Sequence, residues 1–261
     1  MPTADLNGTT INYADSGGDG PAILFSHGLM DHTMFDAQVA AFSADYRCIT
    51  WDERGFGGTQ APGPFTYWDS AADAIALLDH LGVDDAVFVG MSQGGFLSMR
   101  AALGAPTRVR ALVNIDTAAD VDDEETLEGY LGMMGAFASG EPAVVDAVAQ
   151  SVAGLILGDD ALAAEWIPRW KQRFGEHDIT VSGGALLGRD DISADIHQIA
   201  CPVLVIHGSD DHAIDLTRAQ QVADNVQDCR GVVVVDGAAH APNMTHPAIV
   251  NDAIAEFLAA L

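Results

Sequence analysis

Apolar and polar positions follow a pattern along the chain that predicts its secondary structure. Residues 3–14 alternate around Asn7 and Gly8, which indicates a β-hairpin. Mainly apolar runs follow, and such runs are typical of strands buried on both faces of a sheet. The runs lie at residues 22–25, 47–51, 86–89, 109–116, 202–207 and 231–235. Because segments with helical periodicity separate them, the sequence predicts an α/β fold with a mostly parallel central sheet flanked by helices.

The alternation of strands and helices stops between residues 118 and 195. This stretch has helical patterns, and its glycines and Pro168 predict short, bent helices. We therefore expect a core of residues 1–117 and 196–261 with a helical cap, or lid, of residues 118–195. Its bulky apolar residues either pack the cap onto the core, which we favour for most of them, or line a pocket beneath it. They are Met133, Met134, Phe137, Trp166 and Trp170.

The segment around Ser92 changes from strand to helix within a few residues. A G-x-S-x-G motif at residues 90–94 follows the apolar run 86–89, and residues 96–103 have helical periodicity. A bend this sharp needs glycines, and it exposes the serine with a helix N-terminus behind it, as in a nucleophile elbow. The alternative is that Ser92 only caps the helix.

Acidic residues and a histidine follow two later predicted strands. Asp210 and Asp211 come after the run at 202–207, and His240 comes after the run at 231–235. Catalytic groups gather at the carboxyl ends of parallel strands, so we expect these residues near Ser92. A serine nucleophile needs an imidazole to accept its proton, and the imidazole needs a carboxylate to orient it. The three residue types therefore predict a hydrolytic site.

Five short motifs stand at these positions in a characteristic order. They are His27-Gly28-Leu29, Asp52-Glu53-Arg54-Gly55-Phe56-Gly57, Gly90-Met91-Ser92-Gln93-Gly94-Gly95, Gly208-Ser209-Asp210-Asp211 and Gly237-Ala238-Ala239-His240. With the order serine, acid, histidine, the whole chain resembles the α/β-hydrolase superfamily. It is most similar there to the lidded group of carboxylesterases, 3-oxoadipate enol-lactonases, cofactor-free haloperoxidases and carbon–carbon bond hydrolases.

The resemblance implies roles for particular residues. Ser92, Asp211 and His240 correspond to the catalytic triad, and the acid is Asp211 rather than its neighbour because it is the third residue after Gly208. The backbone N–H groups of Leu29 and Gln93 correspond to the oxyanion hole.

Two further features of the resemblance concern acidic positions. Asp116 ends the strand after the elbow, where some relatives carry the triad acid, so it is a reserve candidate for that role. The nucleophile position is serine and not aspartate, which argues against epoxide hydrolases and haloalkane dehalogenases.

The resemblance also implies roles outside the triad for two other residues. Arg54 is expected to form a buried ion pair and not to bind substrate. His27 is expected to shape the oxyanion loop.

Composition excludes several kinds of partner. The 261-residue chain has 38 acidic and 11 basic residues, and its net charge of −27 disfavours nucleic acid and anionic membranes. No apolar run is long enough to span a membrane, and the N-terminus has no secretory pattern, so we expect a cytoplasmic protein. The three cysteines have neither a metal-binding spacing nor a disulfide framework. We expect no metal and no cofactor, and a homodimer remains open.

The expected function is a serine esterase or lactonase acting on a small to medium ester or lactone through an acyl-enzyme. Carbon–carbon bond hydrolysis of a dienoate ring-cleavage product is one alternative, because basic residues of the cap could bind its carboxylate. The candidates are Arg169, Arg173 and Arg189. Ligand binding without catalysis is the other alternative, and an intact Ser/Asp/His set argues against it.

Overall fold

The computed structural model describes residues 1–173 and 176–261, and in this part of the chain eight strands form one sheet. The strands are β1 (Thr3–Leu6), β2 (Thr9–Asp15), β3 (Ala22–Ser26), β4 (Arg47–Trp51), β5 (Ala86–Met91), β6 (Val109–Ile115), β7 (Val203–Gly208) and β8 (Cys229–Val235). Their spatial order is β1-β2-β4-β3-β5-β6-β7-β8. The pairs β1–β2 and β2–β4 are antiparallel, and the pairs from β4–β3 to β7–β8 are parallel. The predicted α/β fold is confirmed.

Helices cover both faces of this sheet. They are α1 (Asp36–Phe42), α2 (Tyr67–His80), α3 (Gln93–Gly104), α4 (Glu124–Ala138), α5 (Pro142–Ile156), α6 (Asp160–Glu176), α7 (Ile179–Leu187), α8 (Leu216–Asn225), α9 (Pro242–Thr245) and α10 (Pro247–Ala259). Within the described residues, no helix combines the length and the apolar character needed to span a bilayer.

The central strands are buried because their side chains alternate between two hydrophobic cores. In β3, Leu24 packs into one core, whereas Ile23 and Phe25 pack into the other. The first core contains residues of α2, α3 and α8, and the second contains residues of α1, α5, α6 and α10. This two-sided burial explains the continuous apolar runs in the sequence.

The predicted hairpin forms between β1 and β2. Its turn consists of Asn7 and Gly8, with φ of 47° and 81°, and Leu6 pairs with Thr9 on either side. Asparagine and glycine tolerate these left-handed conformations, which match the twist of the flanking strands. The hairpin therefore forms the antiparallel edge of an otherwise parallel sheet.

Helix α2 begins earlier than the apolar periodicity indicates. The sequence predicts a helix over residues 69–81, and the structure has Tyr67–His80. The Thr66 hydroxyl accepts a hydrogen bond from the Asp69 N–H, and the Asp69 carboxylate accepts one from the Thr66 N–H at 2.8 Å. This reciprocal capping box fixes the first turn, which the apolar pattern alone does not mark.

Helices α4 to α7, called the helical insertion below, lie between β6 and β7. The division of the chain into core and cap stays a prediction. The expectation of short helices is wrong, because α6 runs from Asp160 to Glu176 through Pro168. Trp166 and Trp170, one turn apart, are buried in the second core. Their packing stabilises the helix across the proline, which cannot donate a backbone hydrogen bond.

Candidate active site

Ser92 occupies the sharp turn between β5 and α3. Its backbone dihedrals of φ 51° and ψ −118° lie where L-residues are rarely found. The Ser92 N–H donates to the Ile115 carbonyl at 2.8 Å, and the Thr117 hydroxyl donates to the Ser92 carbonyl at 2.8 Å. In the described structure the Ser92 side chain makes no capping hydrogen bond to α3. The helix-capping interpretation of Ser92 is therefore wrong, and the turn has the form of an elbow.

Glycines allow this turn to pack closely. A Cβ atom on Gly94 would collide with the Ser26 carbonyl at the end of β3, and one on Gly90 would collide with the carbonyl of Gly94. Both contacts involve backbone, which cannot move aside as a flexible side chain can. The motif glycines are therefore required by the approach of α3 to strands β3 and β5.

His240 and Asp211 come together from the loops after β8 and β7. The His240 Nδ1–H donates to Asp211 Oδ2 at 2.7 Å. Asp211 Oδ1 accepts the N–H groups of Ala213 at 2.8 Å and Ile214 at 3.1 Å. Burial opposes the ionisation of Asp211, but the charge and hydrogen bond of His240 hold its pKa below the ordinary value. Asp210 is exposed and accepts a hydrogen bond from Ser209, so the structure pairs His240 with Asp211, the residue that the family resemblance implies.

Asp116, the reserve candidate for the triad acid, lies beside Asp211, whereas the imidazole of His240 bonds to Asp211. It follows β6, is completely buried, and accepts the Gly208 N–H on Oδ1 at 2.9 Å. Burial and the negative charge of Asp211 raise the pKa of Asp116 well above its ordinary value. A carboxyl group in this state is a poor partner for a histidine that becomes positively charged.

One cavity of about 140 Å³ contains both Ser92 and His240 in its wall, together with Leu29 and Gln93. Most of the remaining wall is apolar and comes from α3 and the helical insertion. These wall residues include Phe96, Met133, Met134, Phe137, Val152 and Leu187. Of the five bulky residues singled out in the insertion, Met133, Met134 and Phe137 line the cavity. The two tryptophans pack into the second core, to which Phe137 also belongs.

The N–H groups of Leu29 and Gln93 are available for a ligand. Neither has a hydrogen-bond acceptor among the described residues. Gln93 is the first residue of α3, so its N–H also lies at the positive end of the helix dipole. Two free donors beside a serine can stabilise negative charge on a carbonyl oxygen.

A buried hydrogen-bond chain holds the loop that carries Leu29. The His27 Nδ1–H donates to the Gly28 carbonyl at 2.6 Å, and His27 Nε2 accepts the Glu53 N–H at 2.9 Å. Burial lowers the pKa of His27, which agrees with a neutral ring that accepts at Nε2. The Gln93 side chain donates to Glu53 Oε2 at 2.9 Å, and burial raises the pKa of Glu53 to about 8. Sequence reasoning missed this link because the residues are far apart in the chain.

The arginines differ in their relation to the cavity. Arg54 forms a buried ion pair with Asp73, as expected. Arg173 and Arg189 line the cavity, whereas Arg169 pairs with Asp31 outside it.

Both cavity arginines make polar contacts within the protein. Arg189 pairs with Asp122 at 2.9 Å, and Asp122 is bonded to Arg218 at 2.6 Å. Arg173 donates to the Gly55 carbonyl and the Ser182 hydroxyl, both at 3.0 Å. The cavity wall therefore contains two guanidinium groups that are held in place.

Among the described residues, two groups of side chains have metal-ligand chemistry. They are Asp31, His32 and Asp52, and Asp116, His207 and Asp211. In the second group, His207 Nε2–H donates to the Ile214 carbonyl at 2.9 Å, and Asp211 uses both oxygens for hydrogen bonds. In the first, Asp52 accepts the His32 ring N–H at 2.7 Å and the Gly58 N–H at 2.9 Å. These bonds occupy some of the lone pairs of both groups, whereas Asp116 Oδ2 and His207 Nδ1 have no hydrogen-bond partner among the described residues.

Comparison with known proteins places these features in a wider group. A family model described as the alpha/beta hydrolase fold matches residues 21–247. The 3-oxoadipate enol-lactonase 2 of Acinetobacter baylyi is 27% identical over 255 residues, covering 97% of this chain and 94% of the relative.

Solved structures give the same result. An enol-lactonase from Burkholderia xenovorans LB400 superposes with a TM-score of 0.87 at 27% identity, covering 99% of this chain and all of the other. A thermophilic esterase from Thermogutta terrifontis superposes with a TM-score of 0.84, also at 27% identity, covering 99% of this chain and 96% of the other.

Proposed function

The chain belongs to the α/β-hydrolase fold family, and we propose that it cleaves a carboxylic ester or lactone through an acyl-enzyme on Ser92. One observation carries the proposal: Ser92 at the strained turn and His240, bonded to Asp211, line the same cavity. The enol-lactonase and esterase relatives support this class of substrate.

The proposed reaction has two halves that use the same residues. The Ser92 hydroxyl attacks the carbonyl carbon while His240 accepts its proton, and Asp211 stabilises the imidazolium that forms. His240 then gives the proton to the leaving alkoxide, which departs as an alcohol or, from a lactone, stays attached as a hydroxyl group. In the second half, His240 activates water, which hydrolyses the acyl ester and restores the Ser92 hydroxyl.

Negative charge on the carbonyl oxygen develops in both halves. We propose that the N–H groups of Leu29 and Gln93 donate to this oxygen, because neither has another acceptor within the described chain. One such donor is worth about 3 kcal/mol of transition-state stabilisation in comparable sites. The bond of the Gln93 side chain to Glu53 keeps the helix start in place.

The cavity limits the size of the acyl part. Its volume of about 140 Å³ is comparable to cavities that hold a molecule the size of benzene. The wall is mainly methionine, phenylalanine and aliphatic side chains. A short aliphatic acyl group or a compact lactone ring therefore fits better than a long chain.

A second candidate is carbon–carbon bond hydrolysis of a dienoate product. The observation that favours it is the presence of Arg173 and Arg189 in the cavity wall, where they could bind a substrate carboxylate. The ion pair of Arg189 with Asp122 already balances one of these charges, so the ester or lactone proposal is preferred.

The test is hydrolysis of p-nitrophenyl acetate, butyrate and octanoate by the purified protein, with Ser92→Ala as the matched variant. We expect turnover that is greatest for the short chains and is lost in Ser92→Ala, and fluorophosphonate labelling of the wild type alone. Undiminished esterase activity in Ser92→Ala would contradict the mechanism. Absence of both turnover and labelling in the wild type would favour dienoate cleavage or ligand binding, which a dienoate assay separates.

A further inference from the structure

Asp116 has a left-handed backbone conformation, which few non-glycine residues adopt. Its φ of 45° is in the left-handed region. Of the non-glycine residues in the described chain, Asn7 and Ser92 also have a positive φ. The Asp116 N–H donates to the Ile206 carbonyl at 3.0 Å. Strained residues of this kind persist where the surroundings hold them, often beside a functional site.

The two carboxyl oxygens of Asp116 have different surroundings. Oδ1 accepts the Gly208 N–H at 2.9 Å. Oδ2 is buried and has no donor among the described residues, apart from a proton that it could carry itself. A carboxyl oxygen of Asp211 lies within 4.8 Å of a carboxyl oxygen of Asp116, and hydrogen bonding between the two groups contributes to the raised pKa of Asp116. Two buried carboxylates cannot both be charged at this distance without a large repulsion, so the pair must hold a proton.

The number of donors decides which of the two carboxyl groups keeps the charge. Asp211 accepts the N–H groups of Ala213 and Ile214 and the ring N–H of His240. Asp116 accepts one backbone N–H, that of Gly208. Because more donors stabilise the charge on Asp211, the proton belongs on Asp116 Oδ2.

Two histidines of the described chain, His207 and His240, contact the pair, and His207 approaches both carboxyl groups. Its Nε2–H donates to the Ile214 carbonyl at 2.9 Å, and its Nδ1 lies 3.6 Å from Asp116 Oδ1. Burial lowers the pKa of His207, so the ring is neutral and adds no positive charge that would ionise Asp116. His240 bonds to Asp211 on Oδ2.

We propose that Asp116 is a positioning residue: it is a neutral carboxylic acid whose Oδ2–H donates to the Asp211 carboxylate and fixes it against His240. This role differs from that of a second triad acid, because Asp116 acts through Asp211 and is not among the described residues that line the cavity. Without this donor, the Asp211 carboxylate would be more basic and free to turn away from the imidazole. The inference rests on the proposed function for its effect on turnover, but the proton on Asp116 does not depend on it.

Two substitutions separate this role from the alternatives. Asp116→Gly removes the donor and suits a φ of 45°, and Asp116→Asn keeps a neutral donor and an acceptor in a residue that also tolerates this conformation. Asp210→Asn, at the exposed neighbour of Asp211, is the control for the loss of a negative charge. Circular dichroism and thermal unfolding check that each variant is folded.

For Asp116→Gly we expect kcat to fall about tenfold or more, the effect of losing a hydrogen bond to a charged group, with KM changed little. Two midpoints should move to higher pH by about one pH unit, because a more basic Asp211 stabilises the imidazolium. They are the midpoint of the acid limb of the kcat/KM profile and the midpoint of the NMR titration of the His240 ring. Asp116→Asn should restore most of kcat and both pH midpoints, whereas Asp211→Asn should lose about 10³-fold or more.

The proposal is overturned if Asp116→Asn is as impaired as Asp116→Gly, because Asp116 would then act as an ionised acid. It is also overturned if Asp116→Gly leaves the titration of His240 unchanged. The NMR titration requires no substrate. If the wild type hydrolyses no ester, the proposed function fails, and the titration alone still decides whether Asp116 donates to Asp211.

Discussion

The indole Nε1–H of Trp170 donates a hydrogen bond of 2.7 Å to the main-chain carbonyl of Leu29. Trp170 belongs to α6 of the helical insertion. On the same loop, the N–H of Met30 donates to the Gly28 carbonyl at 2.7 Å. The insertion therefore holds the loop that carries one proposed oxyanion donor. A movement of α6 would change the direction of the Leu29 N–H.

Replacement of Trp170 by phenylalanine tests this coupling. Trp170→Phe keeps most of the apolar volume and removes the donor, so we expect kcat to fall about tenfold while KM changes little. Initial rates with p-nitrophenyl acetate measure both constants. An equal rise in KM with unchanged kcat would mean that Trp170 shapes the cavity and not the oxyanion loop.

Strain at the elbow predicts a stability change that is opposite to the activity change. Ser92→Gly should increase the free energy of unfolding by about 1 kcal/mol, because glycine adopts a φ of 51° without a steric penalty. Ser92→Ala keeps the strained conformation and should show no such gain, while both variants lose turnover. Urea unfolding of the three proteins measures the difference, and an equal effect of both substitutions would exclude strain as the cause.

Close packing at Gly94 predicts a large loss of stability. Gly94→Ala places a methyl group against the Ser26 carbonyl, and we expect a cost of about 3 kcal/mol. Gly132→Ala is the matched control, because Gly132 is in α4 with open space around its Cβ position and should gain up to about 1 kcal/mol. Thermal unfolding ranks the variants, and similar midpoints for both would contradict the packing argument.

The buried carboxyl of Glu53 predicts a pH dependence of stability. Burial raises its pKa from 4.5 to about 8, so the folded protein keeps a proton that the unfolded chain releases in this range. The stability contributed by this group is therefore present below pH 4.5 and is lost as the pH rises to about 8, with a slope of at most about 1.4 kcal/mol per pH unit.

Glu53→Gln removes this titration while keeping an acceptor for Gln93. As the pH rises from 5 to 8, the unfolding free energy of the wild type should therefore fall relative to that of Glu53→Gln. Urea unfolding at several pH values measures it, and parallel curves for the two proteins would show that Glu53 is ionised in the folded state.

The sequence was most informative where local chemistry and topology coincide. The carboxyl ends of parallel strands meet at one edge, so the positions of Ser92, Asp211 and His240 after three strands were enough to expect them together. The pairing of His240 with Asp211, and not with Asp210, required the resemblance to a family, because two adjacent aspartates have the same local pattern.

Contacts between distant parts of the chain could not be predicted. The bond from Trp170 to Leu29 joins residues 141 positions apart, and no periodicity marks it. The neutral state of Asp116 depends on how many donors surround each carboxyl group, which is a property of the packed structure. The continuation of α6 through Pro168 likewise depends on the tertiary packing of its tryptophans.

The ion pair between Asp122 and Arg189 joins the two ends of the helical insertion. Since β6 and β7 are parallel neighbours, the chain leaves the sheet at the carboxyl end of β6 and returns to it at the amino end of β7. The insertion contains none of the strands, so exchange of the segment between Asp122 and Arg189 would leave the strand register unchanged. Such an exchange would change most of the apolar cavity wall, while Ser92, Asp211 and His240 lie outside the exchanged segment.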